Sequence, residues 1–195
     1  MKISWLLAIF IALLSGCAQH PVPQISSWQQ HQAQLQALQD WDFSGKIAIF
    51  TAQERHSLNI HWQQTGDDFH INLTTFLGLT ILDVQKNAQG TQITDDDGKV
   101  YWGDDAQLLI KQLSGLTLPI ERLQQWIKGN PNGAPFQLND HNNVASLMGV
   151  DSENTEWLVD FEQYKTTQGL NLPYAIQLKH LDLRLKFAIS DWQIK

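Results

Sequence analysis

The sequence contains a single cysteine, Cys17, among 195 residues. One thiol excludes an internal disulfide and any zinc site built from several cysteines. Basic residues are also scarce, because 13 Lys and Arg stand against 20 Asp and Glu and give a net charge of −7. This balance argues against nucleic acid as the main partner. With 43% hydrophobic and 17% charged residues, the composition is that of a globular domain with one packed core.

The sequence also lacks the familiar motifs of catalysis and metal binding. It has no G-x-S-x-G turn, no phosphate-binding glycine loop and no HExxH helix. His56 and His61 are five residues apart in a predicted strand, rather than four apart on a helix. The segment Asp95-Asp96-Asp97-Gly98 has no closing glutamate of an EF-hand and is typical of a hairpin turn. We therefore expect no enzyme activity, no metal site and no cofactor.

No apolar run is long enough for a transmembrane helix. The longest, residues 3–14, falls short of the roughly twenty residues that span a bilayer. It follows Lys2 and precedes small residues, which predicts a signal peptide over residues 1–16. Leu14-Ser15-Gly16-Cys17 resembles the bacterial lipobox, whose cysteine becomes the acylated first residue of the mature chain. The alternative is ordinary cleavage beside an incidental thiol.

The residues after the lipobox indicate which membrane holds the lipid anchor and how the domain is connected to it. In lipoproteins of this kind an aspartate after the cysteine marks the inner membrane, so Ala18 points by resemblance to the outer membrane. Residues 17–25 include Pro21 and Pro23 and predict an extended tether. Residues 26–195 then form one domain.

Alternating apolar and polar residues dominate that domain and predict antiparallel strands. The predicted strands lie within residues 41–102, 157–161, 174–178 and 181–189. Turns are expected at residues 53–56 and at Gly66-Asp67. The clearest alternation begins at Leu181. Residues 130–154 carry Asn, Asp, Gly and Pro and predict mostly loop.

Three helices interrupt this pattern. Ser27 and Gln30 form a predicted capping box for the first. The second is expected over residues 104–114, behind two aspartates. The third begins at Pro119 and ends before Gly129. A long antiparallel meander interrupted by helices predicts a highly curved sheet whose inner face the helices cover.

The predicted inner face is aliphatic and aromatic throughout. Its residues are Ile47, Ile49, Leu58, Ile60, Trp62, Phe69, Ile71, Leu73, Leu123, Trp126, Ile127, Trp157, Val159, Phe161, Ile176, Leu178, Leu183, Leu185 and Phe187. It has no recurring polar group that would orient a polar ligand. From the residues alone, a filled hydrophobic core is the commoner explanation, and a cavity for an apolar ligand is the other.

The third helix carries the pattern L-P-x-x-x-L-x-x-W-x-x-G, from Leu118 to Gly129. This pattern resembles the lid helix of the LolB family of lipoprotein receptors. The resemblance extends to residues 41–48, to Phe76-Leu77-Gly78 and to residues 185–192. It implies a mainly β fold with α: an unclosed antiparallel β-barrel of about eleven strands, with a three-helix lid over a hydrophobic cavity. It thereby favours the cavity over the filled core.

The resemblance also implies a function. It describes a receptor anchored in the outer membrane and facing the periplasm, which accepts triacylated lipoproteins from the periplasmic carrier LolA and inserts them into outer-membrane lipid. We expect it to act as a monomer. The alternative is a structural or interaction lipoprotein whose barrel core is filled.

One loop is expected to contact the membrane. Leu77 matches the family's exposed loop leucine, and Gly78 beside it allows a tight turn. Phe76 and Leu79 flank them, and a two-residue period cannot point all three apolar side chains inward. Leu79 stands where the family more often has a polar residue, so both Leu77 and Leu79 are candidates for the contact.

Overall fold

The structure is a computed structural model that describes residues 27–195. The predicted signal peptide, the tether and Cys17 lie outside the described residues. Within residues 27–195, no helix combines the length and the apolar character needed to cross a membrane.

The described chain has three helices and thirteen strands. The helices are α1 (Trp28–Ala37), α2 (Ala106–Ser114) and α3 (Ile120–Trp126). The strands are β1 (Asp40–Phe50), β2 (Arg55–Thr65), β3 (Asp68–Thr74), β4 (Thr80–Asn87), β5 (Gly90–Asp95), β6 (Val100–Gly103), β7 (Phe136–Leu138), β8 (Val144–Val150), β9 (Glu156–Glu162), β10 (Lys165–Thr167), β11 (Leu170–Leu172), β12 (Ala175–His180) and β13 (Leu183–Ile194).

Eleven of these strands form a single sheet in the order β6-β5-β4-β3-β2-β1-β13-β12-β9-β8-β7. Neighbouring strands pair antiparallel. Strands β6 and β7 form the two edges and are not neighbours. The predicted unclosed antiparallel barrel of about eleven strands is therefore confirmed. Strands β10 and β11 form a separate hairpin.

The register of the central strands collects aromatic rings on the concave face. Phe43 of β1 pairs with Trp62 of β2 on one side and Trp192 of β13 on the other. Ring centroids in this cluster lie 5.1 and 6.1 Å from Phe43. Gly45 of β1 lies beside a bulge at which Ser190 of β13 has no partner in β1, and a methyl group on Gly45 would overlap the carbonyl of Ala188. The missing side chain lets β1 and β13 approach closely where the sheet curves.

Local capping explains where the first two helices begin. The Ser27 side chain accepts from the backbone N–H of Gln30, and the Gln30 side chain accepts from the N–H of Ser27, so the predicted capping box is confirmed. At α2, the Asp105 carboxylate accepts from the N–H of Leu108 at 2.9 Å. Gly115 ends α2 with φ +73°, a conformation that glycine adopts without strain.

The prediction that residues 130–154 are mostly loop is confirmed, since 15 of these 25 residues lie outside strands, but it missed β7 and β8. Val144 and Leu147 are buried in β8, yet two apolar residues three apart do not form a two-residue pattern. The strand is stabilised instead by its ladder with β9, from Ser146 paired with Asp160 to Val150 paired with Glu156. Tertiary pairing overrides weak local preference at this edge.

Three smaller predictions also need correction. The β1–β2 turn occupies residues 51–54, so Arg55 and His56 already belong to β2. Leu181 is a turn residue rather than the start of the last strand. The β10–β11 hairpin was not predicted, because three-residue strands are too short to show periodicity.

Antiparallel connectivity places alternate turns at the same end of the sheet. Because Phe50 at the end of β1 pairs with Arg184 at the start of β13, the β12–β13 turn lies beside the β1–β2 turn. Leu158, near the start of β9, pairs with Lys179, near the end of β12, so the β8–β9 turn lies at this end as well. The loop rim is the set of these turns at one end: residues 51–54, 75–79, 96–99, 151–155 and 181–182.

Candidate functional site

The structure brings all nineteen predicted inner-face residues together on the concave side of the sheet. They belong to one apolar cluster that includes residues of all three helices. Fifteen of them are buried and four, namely Ile49, Leu58, Leu73 and Leu183, are partly buried. Whether they bind an acyl chain stays a prediction.

The four partly buried residues share a position. In β1, Ile47 is buried and Ile49, nearer the loop rim, is not; in β3, Ile71 is buried and Leu73 is not. Strands β2 and β13 begin at the rim, and there Leu58 and Leu183 are the more accessible residues. The apolar interior is thus closed beneath the helices and becomes accessible toward the loop rim. We call this partly buried end of the concave face the mouth.

Helices α2 and α3, together called the lid, close the interior. Leu123, Trp126 and Ile127 at α3 are buried. The Gln124 side chain accepts from the Gln64 amide of β2 at 3.4 Å, so α3 reaches the inner face of β2. At its other side, Trp126 lies against Gly149 of β8. Helix α3 therefore bridges two distant strands of the open sheet.

Lys128, just after α3, connects the lid to α1. Its side chain is buried, and its ammonium donates to the carbonyl oxygen of Leu38. Burial lowers the pKa of Lys128 from 10.5 to about 8, because an apolar environment disfavours the charged form. Sequence reasoning missed this buried lysine, since an isolated Lys near a helix end normally faces solvent.

The closed lid leaves polar atoms buried without partners among residues 27–195. These atoms are Trp126 Nε1 in α3 and Gln107 Oε1 in α2. A buried, unpaired donor or acceptor costs about 1–3 kcal/mol. Closing the lid therefore carries a penalty that opening it would relieve.

The loop between β3 and β4 projects from the rim. The N–H of Gly78 donates to the Thr75 carbonyl at 3.0 Å, and the N–H of Thr75 donates to the Leu79 carbonyl at 2.8 Å. With Gly78 at φ +85°, this tight turn directs its side chains outward. Phe76, Leu77 and Leu79 are 87%, 73% and 66% exposed. Their contact with a membrane stays a prediction.

The two histidines that were considered as metal ligands lie on opposite faces of β2. His56 pairs with Ile49 on the concave side, and its Nε2 lies 2.7 Å from the Glu54 carboxylate. His61 faces the convex side, where its Nδ1 lies 3.0 Å from the Ser44 hydroxyl. Because successive side chains of a strand point to opposite faces, two residues five apart cannot lie on the same face.

The aspartate segment in the β5–β6 connection is a turn, as predicted. The Asp95 carboxylate accepts from the N–H groups of Asp97 and Lys99 and from the Tyr101 hydroxyl at 2.9–3.1 Å. These bonds hold the pKa of Asp95 below its usual value. The carboxylate closes the turn.

Solved structures with the same architecture define the class. A LolA superfamily protein from Nitrosomonas europaea superposes with a TM-score of 0.57 at 7% identity, covering 87% of this chain and 94% of that one. A DUF1329 family protein from Desulfovibrio piger gives 0.58 at 10% identity, covering 86% and 90%. At these identities the likeness shows the fold alone. The protein shares the open, helix-covered sheet of these structures.

Sequence relatives identify the family within this class. The family model "Outer membrane lipoprotein LolB" matches residues 39–192. The outer-membrane lipoprotein LolB of Psychromonas ingrahamii is 52% identical over 189 residues, covering 95% of this chain and 93% of the relative. That of Aeromonas hydrophila is 36% identical, covering 94% and 93%. The chain belongs to the LolB family of outer-membrane lipoproteins and serves lipoprotein localisation.

Proposed function

We propose that the protein is the receptor that accepts lipoproteins from the soluble carrier LolA at the outer membrane and inserts them into it. Acylated Cys17 anchors the receptor, and residues 18–25 hold the domain close to the bilayer. The acyl chains of the client occupy the concave apolar interior. The interior contains no group suited to chemistry on the lipid, so the receptor binds and releases its client without modifying it.

The accessibility of the concave face is the observation that carries this proposal. The apolar interior becomes accessible at the mouth, and the mouth lies at the same end of the sheet as the exposed loop of Phe76, Leu77 and Leu79. The accessible end of the interior therefore lies at the same end of the sheet as the part of the rim best suited to contact lipid. This arrangement fits a protein that passes acyl chains to a membrane.

The physical need for such a site follows from the client. A triacylated lipoprotein carries tens of CH₂ groups, and each one exposed to water costs about 0.8 kcal/mol. The client must therefore leave one apolar site only for another. Transfer runs from carrier to receptor if the receptor interior binds the acyl chains more tightly, and no ATP is required.

Acceptance requires the lid to move. Fifteen of the nineteen inner-face residues are covered in the closed state, so an acyl chain reaches them only when α2 and α3 shift. The unpaired atoms Trp126 Nε1 and Gln107 Oε1 lower the cost of that shift. We infer that the closed form is the unloaded receptor.

The second candidate is a structural lipoprotein with a permanently filled core. The dense packing of Trp62, Trp157 and Leu178 beneath the helices, each almost fully buried, favours it. A permanently filled core would not require a partly accessible apolar mouth at the same end of the sheet as an exposed apolar loop.

A reversible lock on the lid tests the two candidates. Gln64→Cys and Gln124→Cys place one thiol on β2 and one on α3, across a contact that two long side-chain amides now bridge. Two glutamine side chains span more than a direct disulfide can, so the lock is a short bis-methanethiosulfonate crosslinker that reductant removes. The remaining cysteine, Cys17, is acylated in this proposal. In proteoliposomes, we expect the crosslinked double variant to accept no client from loaded LolA and the reduced form to accept it. Each single variant treated with the crosslinker is the control. Equal acceptance before and after reduction would show that the covered interior does not take up the client.

A further inference from the structure

Leu181 occupies an unusual position in the β12–β13 turn. Its backbone is in the left-handed region with φ +49°, and its side chain is 90% exposed. The other positive-φ residues of the described chain are glycines, Asn132, Asn142, Asn154, Gln163 and Gln168. Among residues 27–195, Leu181 is thus the only apolar side chain on a left-handed backbone.

Folding alone does not favour leucine at this position. The left-handed conformation suits Gly, Asn and Asp, and it strains larger side chains. An exposed leucine also buries no apolar surface within the domain and promotes aggregation in water. Leu181 therefore gains stabilisation only from an apolar environment outside the domain.

The position of the turn indicates which environment this is. Leu181 lies on the loop rim, at the same end of the sheet as Phe76, Leu77 and Leu79. Between the two apolar points the sheet order runs β3-β2-β1-β13. At about 4.8 Å between neighbouring strands, this separation is roughly 15 Å along the sheet. Leu181 and the loop of Phe76, Leu77 and Leu79 are thus far enough apart to contact a flat surface at two separate places.

Cationic side chains lie just behind the loop rim on the convex face. The guanidinium groups of Arg55 and Arg184 lie 4.8 and 4.4 Å from the ring centroid of Phe50, so the ring holds both cations. Lys179 pairs with Arg184 across the β12–β13 hairpin. The acidic residues of this stretch are Asp182 in the turn, Glu54, which accepts from His56, and Asp160, whose carboxylate accepts from Lys179 at 2.9 Å. Lys179 is therefore neutralised by an ion pair, and the cations available to a partner on this stretch are Arg55 and Arg184. Arg184 lies three residues after Leu181, so its guanidinium can reach the phosphate layer of a phospholipid leaflet when the leucine enters the apolar layer.

We propose that Leu181 is a second membrane contact, which together with the loop of Phe76, Leu77 and Leu79 seats the rim on the phospholipid leaflet. One apolar loop would leave the domain free to rotate about a single point. Two contacts fix its orientation and hold the mouth against the lipid. This inference rests on the proposed receptor function, because it assigns the orientation in which acyl chains are released.

Site-specific labelling of the full-length, acylated protein tests the inference. Leu181→Cys, Leu77→Cys and Gln168→Cys each provide one free thiol for a fluorophore. Gln168 is the matched control, since it also has a positive φ, +48°, but lies in the β10–β11 turn away from the loop rim. The vesicles contain phosphatidylethanolamine, phosphatidylglycerol and a lipid brominated on its acyl chains. We expect quenching at positions 181 and 77 and none at position 168.

The outcomes separate this inference from the proposed function. Quenching at 77 with a response at 181 no larger than at 168 overturns the second contact and leaves the receptor function intact. Absence of quenching at both positions overturns the seating of the rim on lipid, while client delivery on the same vesicles tests the receptor function independently.

A substitution that suits the turn measures what the contact contributes. Leu181→Asn fits the left-handed backbone, so the folded state should be retained, as a denaturation midpoint no lower than that of the original protein would show. We expect delivery of client into vesicles to slow by about tenfold, since the apolar side chain no longer enters the bilayer. Delivery at the original rate by a folded Leu181→Asn protein would overturn the proposal.

Discussion

Trp126 of α3 lies so close to Gly149 of β8 that a methyl group at position 149 would overlap the indole ring. The indole fills the space where a side chain would otherwise project from the concave face. Trp126 is buried in this position. This contact fixes how deeply α3 enters the curved sheet, and the closed state of the lid depends on it.

Gly149→Ala is therefore expected to displace α3. The overlap involves a rigid ring and should lower the free energy of unfolding by about 1–3 kcal/mol. Urea denaturation measures the loss. Gly103→Ala is the matched control, because a methyl group there would lie 3.6–3.8 Å from Leu109 of α2, which is ordinary contact. Equal stability of the two variants would show that Trp126 moves aside without cost.

Lys128 should make stability depend on pH. Its folded-state pKa of about 8 lies below the ordinary 10.5, so between these values the unfolded chain binds a proton that the folded protein does not. Stability contributed by this group therefore rises with pH across that window, by about 2 kcal/mol from pH 7.5 to 9.5. Below pH 8 the folded state carries the full cost of a buried ammonium.

Lys128→Met should remove this rise, as denaturation curves at the two pH values would show. Lys46→Met, which changes an exposed lysine, should leave it unchanged. If the Lys128→Met protein gained stability with pH as strongly as the original, the lysine would not be the titrating group.

Leu77→Glu should separate delivery from acceptance. The side chain is exposed on the rim, so the fold and the uptake of client from LolA should be nearly unaffected. Burial of this leucine in lipid would contribute roughly 1.5–3 kcal/mol, and a carboxylate there is costly. We expect insertion of client into liposomes to fall by at least about tenfold.

The controls for this variant locate the contact within the loop. Leu108→Glu changes a half-exposed residue of α2 and should deliver normally. If Leu79→Glu blocked delivery while Leu77→Glu did not, the contact would lie two residues further on. Normal delivery by both loop variants would contradict membrane contact by the loop.

Cys17→Ala tests whether the anchor takes part in binding. Produced as residues 17–195, this variant should be a soluble folded domain that still accepts client from LolA, because the tether is predicted to be extended and the apolar cluster is already formed among residues 27–195. Transfer assays with the unanchored variant measure this. A native far-UV spectrum combined with complete loss of acceptance would show that the acyl anchor forms part of the site.

The elements that could be predicted from the sequence are those marked by local signals, such as alternating apolar residues in a strand or a capping residue at a helix start. Phe43, Ile47 and Ile49 alternate along β1, and the capping groups Ser27 and Asp105 mark helix starts, so these elements lie where expected. The eleven-strand architecture and the lid came from resemblance to a family, since alternation alone does not determine how many strands share a sheet.

What the sequence did not reveal depends on three-dimensional contacts. Strand β8 has only two buried apolar residues, which do not follow the two-residue strand pattern, and it is stabilised by pairing with β9. Leu181 continued an apparent alternation into Leu183, and only the hairpin register places it in a turn. Lys128 is buried because α1 and α3 meet around it. The accessibility of the mouth likewise depends on where the helices stop covering the sheet.

Photo-crosslinking at the mouth shows whether the concave interior binds the acyl chains of the client. A benzophenone amino acid at position 58 would project from the partly buried concave face, and the same group at position 57 would project from the convex face of the same strand. With client supplied by LolA, we expect an adduct at 58, none at 57, and none at either position with a client lacking acyl chains. Equal adducts at both positions, or an adduct at 58 that does not require acyl chains, would contradict binding of lipid in the concave interior.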